Sequence, residues 1–98
     1  MTINKKENGK ALEIALEGRL DTMTAPELEN ELHASLENAD SLVLDFAKLN
    51  YISSAGLRVL HSAHKTMSGK GGMKVINVNE IVREVFDVTG FSDILTIE

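Results

Sequence analysis

Cysteine and tryptophan are both missing from this chain. Without cysteine there is no disulfide framework, thiolate zinc site, iron–sulfur cluster or thiol nucleophile. Aromatic side chains are scarce, three Phe and one Tyr, so the core must be built from Leu, Ile, Val and Ala. Proline occurs once, at Pro26, which leaves long stretches free to form regular elements. Positive charge is in deficit: ten Lys+Arg against fifteen Asp+Glu leave a net charge of −5. A surface of that sign is repelled by phosphate backbones and anionic lipid, which argues against nucleic-acid and membrane partners. No apolar run approaches the ~18 residues of a membrane span. The polar start MTINKKENGK lacks the apolar stretch of a signal peptide, so the expected address is the cytoplasm. Ninety-eight residues without an internal repeat are expected to form one domain, residues 1–98.

The residue pattern alternates strands and helices. Thr2–Lys6 and Ala11–Glu17 read as strands, the second with Leu12, Ile14 and Leu16 on one face, and Asn8-Gly9 is a favoured hairpin pair. Thr24 followed by Glu27 forms a capping-box pattern, with Pro26 in the first turn. Leu28, Leu32, Leu36 and Ala39 continue from it as one apolar helical stripe, and Asn38-Ala39-Asp40 ends the helix. Leu42-Val43-Leu44, within a strand over 41–46, is apolar on both faces and predicts a central strand covered by helices. Residues 46–52 read as a loop pinned by apolar side chains. A second helix opens at Ser53-Ser54-Ala55-Gly56 and carries Leu57, Leu60, Ala63, His64 and Met67 on one side, before a break at Ser68–Gly72. A strand over 74–78 precedes a third helix capped by Asn79. Ile81, Val82, Val85 and Phe86 are its expected buried stripe, and Thr89-Gly90-Phe91 its glycine stop. Residues 94–97 form a last extended piece. The order ββαβαβα(β) predicts an α/β fold, a mixed sheet with helices packed through right-handed crossovers.

Chemistry concentrates at Asp45…Tyr51-Ile52-Ser53-Ser54-Ala55-Gly56-Leu57, where a central strand hands over to a helix, because sites in α/β sheets gather at the carboxyl ends of strands. Taken alone, Ser53 and Ser54 read as helix N-caps. A serine hydrolase would need Gly-x-Ser-x-Gly, and position 52 is Ile. His61 lies seven residues beyond Ser54, a rise of about 10 Å along one helix, too far for direct proton transfer; His33 has no marked partner. His61 and His64 have a legal metal-ligand spacing but lack a carboxylate to complete a set, so no metal and no cofactor are expected. Gly69-Lys70-Gly71-Gly72 departs from the phosphate-binding Gly-x-x-x-x-Gly-Lys pattern and reads as a flexible turn. Glu27, Glu29, Glu31 and Glu37 read as a solvated face.

Gly18-Arg19-Leu20-Asp21, Leu44-Asp45-Phe46 with Tyr51–Leu57, and Val85-Phe86-Asp87-Val88-Thr89-Gly90-Phe91 together resemble three signatures of the bacterial STAS domain, in order and spacing. The resemblance is to its stand-alone members, the anti-sigma factor antagonists. It implies a single STAS-like domain with a four- to five-stranded mixed sheet and three to four helices. It also implies a non-enzymatic partner switch. The unphosphorylated antagonist sequesters an anti-sigma factor that is also an ATP-dependent serine kinase, and so frees a sigma factor; phosphorylation ends the binding and a PP2C-type phosphatase restores it. By position in the motif the acceptor is Ser54, with Ser53 as the alternative, since Ser53 stands where many members carry Asp. Asp21, Thr22, Ser53, Ser54, Gly56, Leu57 and Arg58 are the implied docking surface. Gly56 is expected to admit the partner's backbone, and Leu57 reads equally as an exposed contact or as core. A monomer is expected for the antagonist alone. The other reading that the family leaves open is a regulatory module that binds a nucleotide or small ligand, or docks onto a transporter or signalling complex.

Overall fold

The structure, a computed structural model, describes residues Met1–Glu98. Strands β1 (Thr2–Asn8) and β2 (Ala11–Leu20) form the hairpin. Asn8 pairs with Ala11, so the turn is Gly9-Lys10, one residue later than expected, and Gly9 takes the left-handed φ of 65° that a tight turn requires. Helix α1 (Ala25–Ser35) ends in a 3-10 turn over Leu36–Asn38. Strand β3 (Ser41–Ile52), helix α2 (Ser54–Ser68), strand β4 (Met73–Ile76), helix α3 (Glu80–Thr89), a second 3-10 turn (Phe91–Asp93) and the short β5 (Thr96–Ile97) complete the chain.

The five strands lie in sequence order, β1-β2-β3-β4-β5. Only β1 and β2 are antiparallel; the other three pairs are parallel. Three parallel connections that all step the same way, each with the usual right-handed crossover, must lay their helices on the same side of the sheet. Burial agrees with that geometry. Leu12, Ile14 and Leu16 of β2, Leu42, Leu44 and Phe46 of β3, and Val75 of β4 are all buried, and the register aligns Leu12 with Leu42, Ile14 with Leu44 and Leu44 with Val75. Leu28 and Leu32 of α1, Leu60, Ala63 and Met67 of α2, and Val82 and Phe86 of α3 close over them in one cluster.

The opposite face carries Glu13, Ala15, Glu17, Val43, Asp45 and Lys74, none of them buried. Val43 is therefore not sandwiched between helix layers, and the expectation of a strand covered on both sides is corrected. Its neighbours Leu42 and Leu44 point to the helices; Val43 faces away from them.

Two more expectations change. The stretch 46–52 is strand rather than loop. Strand β3 carries two irregularities against β2, between Asp45 and Lys48 and between Leu49 and Tyr51. Each extra residue breaks the period-two pattern that marks a strand, while Leu49 and Ile52 return to the core side. In α3, Ile81 is 60% exposed; the buried pair is Val82 and Phe86, four apart, and Ile81 projects from the first turn to solvent. The glycine stop behaves as expected: Gly90 is left-handed at φ 82° and its N–H donates to the Asp87 carbonyl. No helix is long and apolar enough to cross a membrane.

Candidate functional site

The carboxyl ends of β2 and β3 lie side by side, Leu20 opposite Ile52. The strands then diverge into the loops that start α1 and α2. One backbone bond ties the two exits together, from Ser53 N–H to the Leu20 carbonyl at 2.9 Å. Gly56 completes the junction. A Cβ at that position would lie 2.7 Å from Leu20 Cγ and 2.9 Å from Ile52 Cγ1, closer than carbon atoms approach. Glycine here lets the first turn of α2 seat directly on the two strand ends. Gly56 and Leu57 are both buried, Leu57 at 5% exposure. The expected role of Gly56 as a gap for a partner's backbone is corrected, and Leu57 is a core residue. Both support the surface from below instead of forming it.

The loop out of β2 is held by a reciprocal pair, Asp21 and Thr24. Asp21 Oδ1 accepts from the N–H groups of Met23 (3.0 Å) and Thr24 (3.1 Å), and the Asp21 N–H donates to Thr24 Oγ1 at 2.9 Å. The Thr24 hydroxyl in turn donates to the Arg19 carbonyl at 2.7 Å. Backbone bonds from Thr24 and Ala25 N–H to the Asp21 carbonyl extend the helical turn back to this point. The expected Thr24–Glu27 box is thus replaced by one three residues earlier. Asp-x-x-Thr serves the N–H groups of Asp21, Met23 and Thr24, whereas Thr-x-x-Glu would have served those of Thr24 and Glu27, and Thr24 makes no side-chain cap of its own. Partial burial pushes the Asp21 carboxyl up. The Thr24 and Met23 N–H groups, the Thr24 hydroxyl and Arg19 outweigh it, so the carboxyl is held below its ordinary value. Arg19 also lies over the Tyr51 ring at 4.3 Å, its register partner on β3.

The loop out of β3 contains the two serines, and their surroundings differ. Ser54, the first residue of α2, is exposed. Ser53 is half-buried, and its hydroxyl oxygen is shut away from solvent without a hydrogen-bond partner. Although Ser53 occupies the N-cap position, its side chain makes no cap bond. Helix α3, by contrast, is capped by Asn79, which accepts from the Val82 N–H at 2.9 Å. The start of α2 therefore offers an exposed hydroxyl beside backbone N–H groups that no side chain satisfies. Thr22, Met23 and Arg58 complete the exposed rim, while the Asp21 carboxylate is taken up by its own turn.

Most of the other residues with reactive side chains have partners elsewhere. His61 packs edge-on to Phe91, 6.2 Å between ring centres. His64 is half-buried and its Nδ1 lacks a partner. In the Gly69–Gly72 turn, the Lys70 ammonium donates to the carbonyls of Leu36 (2.6 Å), Ala39 (3.1 Å) and Glu37 (3.3 Å). That lysine serves as a cap for the end of the first helix. With Gly71 N–H bonded to the Asp40 carbonyl at 2.6 Å, the turn is pinned instead of flexible. Glu31 is half-buried against Lys5 at 3.5 Å, while Glu27, Glu29 and Glu37 are solvated.

The chain is thus an α/β module with helices on one side of its sheet and a hydroxyl-bearing surface at the carboxyl ends of two adjacent parallel strands. The STAS domain profile matches residues 2–98, and the chain belongs to the STAS domain family. It is 29% identical over 98 residues to the anti-sigma-B factor antagonist of Bacillus subtilis (strain 168), covering 99% of this chain and 90% of that protein. Its fold superposes on an anti-sigma factor antagonist from Mycobacterium paratuberculosis with a TM-score of 0.89 at 22% identity, covering 98% of this chain and 83% of that one. The anti-sigma factor antagonist SpoIIAA in its unphosphorylated form gives a TM-score of 0.85 at 16% identity, covering 99% and 88%. The phosphorylated form of SpoIIAA, a Bacillus cell fate determinant, gives 0.76 at 15%, covering 99% and 91%. The expected STAS-like fold is the observed one, with five strands and three helices.

Proposed function

We propose that this chain is an anti-sigma factor antagonist switched by phosphorylation of Ser54. In its unmodified form it binds an anti-sigma factor through the surface formed by the Asp21–Thr24 turn and the start of α2, and so releases a sigma factor. The anti-sigma factor is also the ATP-dependent serine kinase that modifies Ser54, a PP2C-type phosphatase removes the phosphate, and the antagonist alone is a monomer. The observation that carries the choice of residue is the contrast between the two serines: Ser54 is exposed, while the Ser53 oxygen is enclosed. The name of the Bacillus relative and the existence of SpoIIAA in phosphorylated and unphosphorylated forms support the same reading.

The energetics suit a switch that acts on the partner and leaves the domain intact. A phosphate adds about −1.5 to −2 charges. At the start of a helix an anion is favoured by ~0.3–1 kcal/mol, so the modified domain stays folded. A hundredfold loss of affinity needs only about 2.7 kcal/mol. One like charge about 4 Å away at an interface of effective dielectric near 20 supplies roughly 4 kcal/mol. The test is to incubate the chain with the serine-kinase anti-sigma factor of its source organism and ATP, and to locate the modified residue by mass spectrometry. Modification at Ser54, lost in Ser54→Ala and kept in Ser53→Ala, is expected; modification of the wild-type chain at Ser53 would contradict the assignment.

A further inference from the structure

Four large apolar side chains are exposed in this chain, and Met23 is the most exposed of them at 86%. Its position separates it from the others. Ile81, Val88 and Ile94 lie on α3 and just after it, whereas Met23 projects from the turn that adjoins Ser53 and Ser54 through the Ser53–Leu20 bond. A methionine on a loose loop would lose much conformational freedom on binding. Here the backbone is already fixed, because the Met23 N–H donates to Asp21 Oδ1 and the residues on both sides are held by the Asp21–Thr24 pair. The turn is further tied to Arg19 through the Thr24 hydroxyl. Rigid presentation of an apolar group removes much of the ordering cost of association. Methionine is also enriched at the centres of protein interfaces, where its unbranched thioether adapts to the pocket it enters.

We infer that Met23 is an anchor residue for the anti-sigma factor, inserting into an apolar pocket on that protein while Ser54 faces its kinase centre. The inference rests on the antagonist reading above and adds to it a determinant of partner choice. Affinity comes in large part from Met23, and phosphorylation control from Ser54. Because Met23 belongs to no buried cluster, its replacement leaves the fold intact, so binding and folding are separable.

The experiment measures, by calorimetry, the affinity of the purified serine-kinase anti-sigma factor for five forms: wild type, Met23→Leu, Met23→Gln, Met23→Asp and Ser54→Asp. Thermal melting of each form reports folding. Met23→Leu is expected to bind within about threefold of wild type, Met23→Gln at least about tenfold more weakly, and Met23→Asp more weakly still, with melting temperatures unchanged. Binding of Met23→Gln and Met23→Asp within twofold of wild type would overturn the anchor role, while the loss of affinity in Ser54→Asp would leave the switch standing. If instead the anti-sigma factor does not bind the wild-type chain, or binds Ser54→Asp equally well, the antagonist reading itself fails, and that result is distinct from the first.

Discussion

The two ends of the sheet use similar small-residue sequences for opposite purposes. At the amino ends of the parallel strands, Ser68-Gly69-Lys70-Gly71-Gly72 forms a turn in which the polar groups meet partners inside the molecule. Lys70 caps three carbonyls, Gly71 binds Asp40, and Asp40 binds the Lys10 carbonyl. At the carboxyl ends, Ser53-Ser54-Ala55-Gly56 leaves one hydroxyl in solvent, a second without a partner, and a helix start without a side-chain cap. The first end is closed on itself and the second is available to another molecule. Internal satisfaction is incomplete at that end, on a scaffold that is complete beneath it.

The sharpest way to break this contrast is to disturb the support under the open end. Gly56→Ala forces a methyl group against Leu20 and Ile52, and overpacking of this kind costs about 1–3 kcal/mol. Chemical denaturation should show that loss. Binding of the anti-sigma factor should fall with it, because the Ser54 surface is lifted off the strand ends. At the closed end, Lys70→Met removes a cap that is exposed to solvent and so contributes only about 0.3–1 kcal/mol. Its expected signature is a small drop in stability with unchanged affinity for the anti-sigma factor. A loss of binding in Lys70→Met would mean that the two ends are not independent. Comparable in size and opposite in sign is Ser53→Asp. A carboxylate at the N-cap of α2 would supply the missing cap and stabilise the domain by about 0.5–1 kcal/mol, a rise in melting temperature of a few degrees for a domain of this size. No change would show that the enclosed Ser53 position cannot redirect a side chain to the helix start.

The Asp21 carboxyl provides a titration counterpart. Its ordinary value is 3.8 and the folded value lies lower. The stabilisation from its hydrogen bonds is therefore present above the ordinary value and lost as pH falls through the folded one. A carbon-detected titration should place its midpoint below 3.8, and a midpoint above that value would contradict the turn geometry.

Much of this arrangement was readable in the residues, and the failures have common physical causes. The hairpin, the Asn79 cap, the glycine stop at Gly90 and the apolar stripe from Leu28 to Leu36 follow from local rules that the fold does not override. The end of β3 was hidden because its two irregularities destroy the alternation from which a strand is recognised. The cap of α1 differs from the expected one because the Asp21–Thr24 pair carries the turn back to Asp21, and a polar pair spaced by three residues fits either position. Val43 and Leu57 were ambiguous for a different reason. Which side of a sheet is covered, and how closely a helix settles on it, depend on the direction of the crossovers and on Gly56, which are properties of the whole chain. The enclosure of the Ser53 oxygen likewise has no local signature. It follows from the tie between Ser53 and Leu20, which joins positions far apart in sequence.

The central claim concerns the effect of one phosphate on one interface. The direct measurement is the dissociation constant of the serine-kinase anti-sigma factor for the unmodified chain and for the same chain quantitatively phosphorylated on Ser54, at fixed salt and nucleotide. The account predicts at least about a hundredfold weaker binding of the phosphorylated form, with an unchanged fold by circular dichroism. Equal affinity for the two forms would contradict it.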